Sequence, residues 1–300
     1  MVSDINFLLV GNSRLHWAKY SKNQSKFFHT KKEQKVPENI DLDQLIWASV
    51  GKLPNFLLKK ENEIKTKDIQ PNLRKYSKEL VDMKPQEMLT WGYEKFDNQF
   101  AITTSFGIQS SVLLDMVSKL SLQKKIKIFW IDTGYLPPET YHYAEKLIDN
   151  LSLEVEVLQS ELSPARMEAK YGKLWETKKE SDLDKYHELR KIKPLENGLK
   201  KYDIFCWASG VRSSQTENRN KMKFIDVIRQ RLSLRPLLNW TNKDIFYYME
   251  ENNLPAHPLF IKGYSSVGDW HSSSPDGIET KGRNTRFGGI KQECGIHTNN

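Results

Sequence analysis

Apolar runs of strand length alternate with helix-length amphipathic stretches between about residue 100 and residue 210. Phe100-Ala101-Ile102-Thr103-Thr104, Lys127-Ile128-Phe129-Trp130-Ile131 and Val155-Glu156-Val157-Leu158 read as short buried strands, and Tyr202 to Ala208 as a fourth. Between them, Val112-Leu113-Leu114 follows a glycine-containing turn, and Tyr143, Leu147 and Leu151 recur at helical spacing after Pro137-Pro138. Upstream, Leu73, Tyr76, Leu80 and Met83 predict one helix, and Pro85 suits the first turn of another. Parallel neighbours need a long crossover, so strands joined by helices imply an α/β fold with a doubly wound, mainly parallel sheet. Residues 4–10 read as a separate strand running into Gly11-Asn12-Ser13, and the Lys-rich stretch 59–68 as a linker. Three parts follow: an appended segment 1–60, an α/β domain 61–269 and a flexible tail 270–300.

Composition narrows the class. With 38% hydrophobic and 11% aromatic residues the chain is globular, and no apolar run approaches the ~18 residues of a membrane span; a soluble, cytoplasmic protein is expected. Two cysteines, Cys206 and Cys294, make neither a disulfide framework nor a four-thiolate metal site. The excess of 46 Lys and Arg over 38 Asp and Glu, a net charge of +8, suits an anionic partner. The basic residues are scattered and no nucleic-acid-binding signature is present, so a small polyanion such as a nucleotide fits better.

Chemistry concentrates where the strands end. In a doubly wound sheet, ligands lie at the carboxyl ends of the strands. Ser105-Phe106-Gly107-Ile108-Gln109-Ser110 follows the first strand, Asp132-Thr133-Gly134 the second, and Gly210-Val211-Arg212 the fourth. The first loop aims helix N-terminal amides at one point, with serine hydroxyls as further donors. Asp132 reads either as a helix cap or as part of the same pocket. Arg190, Lys191, Arg212, Arg219, Arg229, Arg231 and Arg235 flank the sheet, and Arg283, Arg286 and Lys291 lie in the tail; converging guanidinium groups grip phosphate or sulfate. Cys206 lies inside a strand beside Phe205 and Trp207, which assigns it to the core. Cys294, three residues before His297 in a basic tail, reads either as a nucleophile or as a small hydrophobe at an ordinary terminus.

Nine colinear stretches carry a resemblance. They are the Ser105 loop, Asp132-Thr133-Gly134-Tyr135, Tyr171-Gly172-Lys173-Leu174-Trp175-Glu176, Gly210-Val211-Arg212, Arg235-Pro236-Leu237, His257-Pro258-Leu259, Gly263 to Asp269, Thr285-Arg286-Phe287-Gly288 and Glu293-Cys294-Gly295-Ile296-His297. From about residue 70 to residue 298 the chain resembles the thioredoxin-dependent phosphoadenylyl-sulfate reductases. That resemblance implies an adenine nucleotide alpha-hydrolase-like fold with a modified pyrophosphate loop, in which Phe106 and Gln109 replace the Gly and Asp of ATP-cleaving relatives. It implies that Cys294 attacks the sulfur of 3′-phosphoadenylyl sulfate, that thioredoxin then releases sulfite, and that His297, Arg283 and Arg286 assist. The substrate is expected to touch Ser105, Phe106, Gly107, Ile108, Gln109, Ser110, Asp132, Thr133, Gly134, Lys191, Gly210 and Arg212. A homodimer is implied as well. A related branch reducing adenylyl sulfate carries a four-iron cluster on cysteines; Tyr186, His187, Asp269 and Ser272 stand at those positions here, so no bound cofactor is expected. The alternatives are a cluster-free adenylyl-sulfate reductase and a non-catalytic nucleotide-binding protein. Residues 5–18 resemble the opening of type III pantothenate kinases.

Overall fold

The computed structural model describes residues 5–10, 14–21, 24–31 and 45–49 as backbone strands, and residues 72–120, 126–293 and 295–298 in full. Two compact units divide the chain at residue 70. In the first, β1 (Ile5–Val10) pairs antiparallel with β2 (Arg14–Ser21) and parallel with β4 (Leu45–Ser49), while β3 (Gln24–Lys31) pairs with β2. Strand β1 matches the expected one; Gly11-Asn12-Ser13 and the expected linker 59–68 lie outside the described residues.

The second unit opens with α1 (72–80) and α2 (Pro85–Phe96). Its sheet uses β5 (Phe100–Thr104), β6 (Lys127–Ile131), β7 (Val155–Leu158), β8 (Cys206–Ser209), β9 (Ile225–Ile228) and β10 (Arg231–Leu234), in the order β7-β6-β5-β8-β10-β9. Every neighbouring pair is parallel except the β9–β10 hairpin at one edge. Crossovers run through α3 (Ser110–Ser118), α4 (Pro138–Leu151) and α7 (Lys193–Lys201). The mainly parallel α/β sheet is therefore as the sequence predicts, while the hairpin is new.

Strand pleating divides the core. Ala101, Phe129, Ile131 and Trp207 face Leu195 and Leu199 of α7, and Ile296 from the tail joins this cluster. On the other face Phe100 packs under α2, where Gly92 leaves room for its ring. Between α6 (Glu180–His187) and α7 the helix widens into a π turn, Glu188–Ile192, closed by the Lys193 amide donating to the Glu188 carbonyl. Pro194 follows and has no amide to donate, which suits a widened ladder. The turn buries both Arg190 and Lys191 and brings Lys191 to the strand ends. The remaining helices are α5 (Pro164–Tyr171), α8 (Glu217–Asn220), α9 (Asn242–Glu251) and α10 (Pro258–Ile261).

Part of the tail that the sequence reading expects to be flexible makes contacts with the domain. Arg229 donates to the carbonyls of Gly295, Ile296 and Thr298 at 2.8–3.0 Å and to Glu196, tying the last described residues to the β9–β10 turn.

A Cβ at Gly92 would lie 2.6 Å from Phe100 Cε2, a buried ring with nowhere to retreat. Valine has better helix propensity than glycine by about half a kcal/mol, whereas overpacking costs about 1–3 kcal/mol. Gly92→Val is therefore expected to lower the thermal midpoint of this unit by roughly 3–8 °C in calorimetry; an unchanged midpoint would show that Phe100 has room to move.

Candidate active site

A cavity of ≈ 210 Å³ opens at the carboxyl ends of β5, β6 and β8, where the sheet changes its direction of winding. Ser105, Gly107, Ile108, Gln109 and Ser110 line it from the loop before α3, Thr133 from the loop after β6, and Gly210 and Arg212 from the loop after β8. Lys191 enters from the π turn, and Arg283, Arg286, Ile296 and His297 close it from the tail. Twelve of the sequence-predicted site residues thus share one wall. Phe106, Asp132 and Gly134 do not line it, and Cys294 lies outside the described residues, between the placed Glu293 and Gly295.

These three residues shape the loops from behind. Phe106 has φ of 48°, a left-handed backbone costing a non-glycine residue about 1–2 kcal/mol. Its ring is fully buried, edge-on to Trp130 at 4.8 Å, and burying a phenylalanine is worth about 1.5–3 kcal/mol, which offsets the strain. Asp132 accepts from the Gly134 amide, the Tyr141 hydroxyl and the Gln159 amide at 2.7–2.8 Å. Gly134 has φ of 73°, and a Cβ there would lie 2.8 Å from both Arg190 Nη2 and Pro164 Cγ. Arg190 itself is a strut: its Nε donates to the Thr133 carbonyl at 2.7 Å and Nη1 to the Leu162 carbonyl at 2.5 Å.

The cations differ in how they are compensated. Arg212 donates to Gln109 Oε1, to Asn242 Oδ1 at 2.9 Å and to the Trp240 carbonyl at 3.4 Å, all neutral acceptors. Burial, then Arg219, brings its guanidinium down to about 10. Gln109, where an aspartate would have neutralised it, therefore leaves that charge available. Arg219 forms a two-pronged pair with Glu293, at 2.9 Å from Nε to Oε1 and 2.9 Å from Nη2 to Oε2, and Thr216 also donates to Glu293. Burial opposes ionisation of Glu293, but Arg219 and Arg283 outweigh it and hold the carboxyl below its usual range. Lys191 pairs with the fully buried Asp269 at 2.7 Å. Arg286 lies over Gly268, where a Cβ would force its guanidinium to shift, and it donates to Ser273.

His297 stacks on Trp207 with centroids 5.4 Å apart, and its Nδ1 is buried without a hydrogen-bond partner among the described residues. Burial, followed by Arg219, Arg235, Arg283 and Arg229, keeps this imidazole neutral. It therefore meets the cavity as a hydrogen-bonding group rather than as a cation, and an arriving anion would favour its protonation.

Ser209, Gln215, Gly268 and Asp269 also line the cavity, and Asn242 and Glu293 hold its arginines, although sequence reasoning named none of them as site residues. Gly268-Asp269 and Glu293 stood inside motifs already noted. The missing signal was the partner, since Lys191 and Asp269 are 78 positions apart.

A cavity lined by backbone turns and guanidinium groups at the carboxyl ends of a mainly parallel sheet is the arrangement of nucleotide-binding α/β proteins. The phosphoadenosine phosphosulfate reductase domain matches residues 99–275. The chain is 43% identical over 228 residues to phosphoadenosine 5′-phosphosulfate reductase of Synechococcus sp., covering 76% of this chain and 97% of the relative. It is 44% identical over 220 residues to the Synechocystis sp. protein of the same name, covering 73% and 88%. The crystal structure of phosphoadenylyl-sulfate reductase from Candida auris in a phosphate complex superposes with a TM-score of 0.59 at 30% identity, covering 68% of this chain and 97% of that one. The chain belongs to the phosphoadenosine phosphosulfate reductase family, and its fold is of the adenine nucleotide alpha-hydrolase-like class.

Four histidines set an acid limit on stability. Burial brings His257 and His271 down to about 4 and His187 to about 2, and it lowers His297 as well. The folded state resists their protonation while the unfolded chain takes up protons below about pH 6.5. Their contribution to stability is therefore complete above that pH and is lost below it, with a slope of about 1.4 kcal/mol per pH unit for each histidine. The thermal midpoint should fall between pH 7.5 and 5 and stay level from 7.5 to 8.5; equal midpoints at pH 7.5 and 5 would contradict neutral, buried imidazoles.

Proposed function

We propose that this protein reduces 3′-phosphoadenylyl sulfate to sulfite with thioredoxin as electron donor, in two group-transfer steps at Cys294. The observation that carries the reading is the cavity wall itself: Ile296 and His297, just after the cysteine in sequence, close a cation-lined pocket, and Glu293 and Gly295 are tied to Arg219 and Arg229. In the first step the Cys294 thiolate attacks the sulfate sulfur. A sulfur–sulfur bond forms, the sulfur–oxygen bond to the 5′-phosphate breaks, and adenosine 3′,5′-bisphosphate leaves with the electron pair. Lys191, Arg283 and Arg286 oppose the charge that grows on the leaving phosphate. The Ser105 loop and the start of α3 take a further anionic or ribose group, and Arg212, with its neutral acceptors, suits an additional phosphate.

In the second step one thiol of the donor attacks Cys294 Sγ. Sulfite departs with the bonding pair, and the donor's second thiol closes its own disulfide and frees Cys294. Two electrons thus pass from dithiol to sulfur. No iron–sulfur cluster takes part: Tyr186, His187, Asp269 and Ser272 supply no thiolate, and the chain's two cysteines are too few for four ligands. We place the enzyme in the cytoplasm as a homodimer, on the family likeness alone.

Reduced thioredoxin with the 3′-phosphorylated nucleotide should release sulfite at least tenfold more efficiently than with adenylyl sulfate, because an extra phosphate meets a cationic wall. Equal or reversed kcat/KM values would overturn the substrate assignment and favour the cluster-free adenylyl-sulfate reductase. Cys294→Ser should bind adenosine 3′,5′-bisphosphate as the wild type does and release no sulfite; sulfite from that variant would overturn the mechanism.

A further inference from the structure

Asp269 is completely buried, yet it ends a segment that lines the cavity. Its Oδ2 lies 2.7 Å from Lys191 Nζ, and its Oδ1 accepts the Thr133 hydroxyl at 2.5 Å. The Thr133 hydroxyl in turn accepts the Tyr135 amide at 3.2 Å, and the Trp270 amide donates to the Tyr135 carbonyl at 2.7 Å. One carboxylate therefore ties the loop after β6, the π turn before α7 and the segment 263–269 into a single corner. Burial opposes its ionisation, but Lys191, then Arg286 and His271, hold it well below the usual carboxylate range.

The wall behind this corner is aromatic. Tyr186, its hydroxyl 3.0 Å from His271 Nε2, lies beneath Lys191; His271 stacks on Trp175 with centroids 4.0 Å apart, and His187 and Phe287 complete the backing. Both histidines are held neutral by burial, so the charges at the corner are Asp269, Lys191 and Arg286, with Arg190 behind the Thr133 carbonyl.

A buried ion pair is a poor stabiliser, because desolvation consumes most of its attraction and an apolar pair of like volume serves as well. This one has an asymmetry that stability does not require. All three residues line the cavity, but the two Asp269 carboxylate oxygens are taken up by the Lys191 ammonium and the Thr133 hydroxyl, and Lys191 is the more exposed member of the ion pair. We propose that Asp269 is a positioning residue for substrate binding: it aims the Lys191 ammonium and the Thr133 loop so that this corner, together with Arg286, receives an anionic group of the substrate. The inference rests on the function proposed above for what that anion is, but not for whether the corner binds one.

The test is a double-mutant cycle on the full chain, with affinities from calorimetry and two probes, adenosine 3′,5′-bisphosphate and inorganic pyrophosphate. Asp269→Asn keeps the shape and removes the charge, and is expected to weaken both probes about ten- to hundredfold. Lys191→Met is expected to weaken them similarly, and the double variant no further than Lys191→Met alone. Asp269→Glu should recover part of the loss. Additive losses would show that Asp269 acts by holding the fold rather than by aiming Lys191, and would overturn the proposal. Should Asp269→Asn not fold, Asp269→Glu must still bind both probes more tightly than Lys191→Met, and equal affinities would overturn it. A wild type that binds pyrophosphate in an Asp269-dependent way but not the nucleotide would sink the proposed function and leave this inference standing; one that binds neither would sink both.

Discussion

Everything at the strand ends depends on burying like charges together. Five cationic side chains, Lys191, Arg212, Arg219, Arg283 and Arg286, line one small cavity, and four of them are buried. Such a cluster repels itself and loses hydration, so it persists only where each head group has partners. Two carboxylates do part of that work, Asp269 for Lys191 and Glu293 for Arg219 and Arg283. Carbonyls, amides and hydroxyls do the rest. Among the described side chains that line the cavity or pair with those that do, cations outnumber carboxylates. A second α/β feature, the helix N-terminus behind the Ser105 loop, adds its dipole in the same direction.

The same arrangement explains the tail. Glu293 and the carbonyls after it are acceptors for arginines of the domain, so the segment around Cys294 docks by satisfying groups that the cavity has to satisfy anyway. Ile296 contributes an apolar anchor in the α7 cluster, worth about 1.5–3 kcal/mol, and the arginine hydrogen bonds add to it.

How far the sequence revealed this varies by element. Strands β5, β6 and β7 were legible because continuous apolar runs between helix-length segments have few other readings, and the pocket loops followed from where those strands end. The β9–β10 hairpin was not legible: Asp226, Arg231 and Ser233 interrupt the apolar pattern, and its turn places Arg229 and Gln230 at positive φ without the Asn or Gly that marks such turns. The π turn left no local trace beyond Pro194. Among site residues, the Ser105 loop, Thr133 and Gly210-Arg212 came from local grammar. Asp269 and the Arg219–Glu293 pair depend on partners far away in sequence, and periodicity is silent about those. Phe106, Asp132 and Gly134 are expected as substrate contacts because they sit in the right loops; they do not line the cavity, and the Phe106 ring, the Asp132 carboxylate and the positive φ of Gly134 set the loops' shape.

The central claim is that Cys294 takes the sulfonate before any electron donor arrives. Intact-mass and peptide mass spectrometry of the protein incubated with 3′-phosphoadenylyl sulfate and no dithiol tests it most directly. The account predicts one sulfonate per chain on Cys294, none on the buried Cys206, and an equal amount of adenosine 3′,5′-bisphosphate released. Nucleotide cleavage that leaves Cys294 unmodified would contradict it.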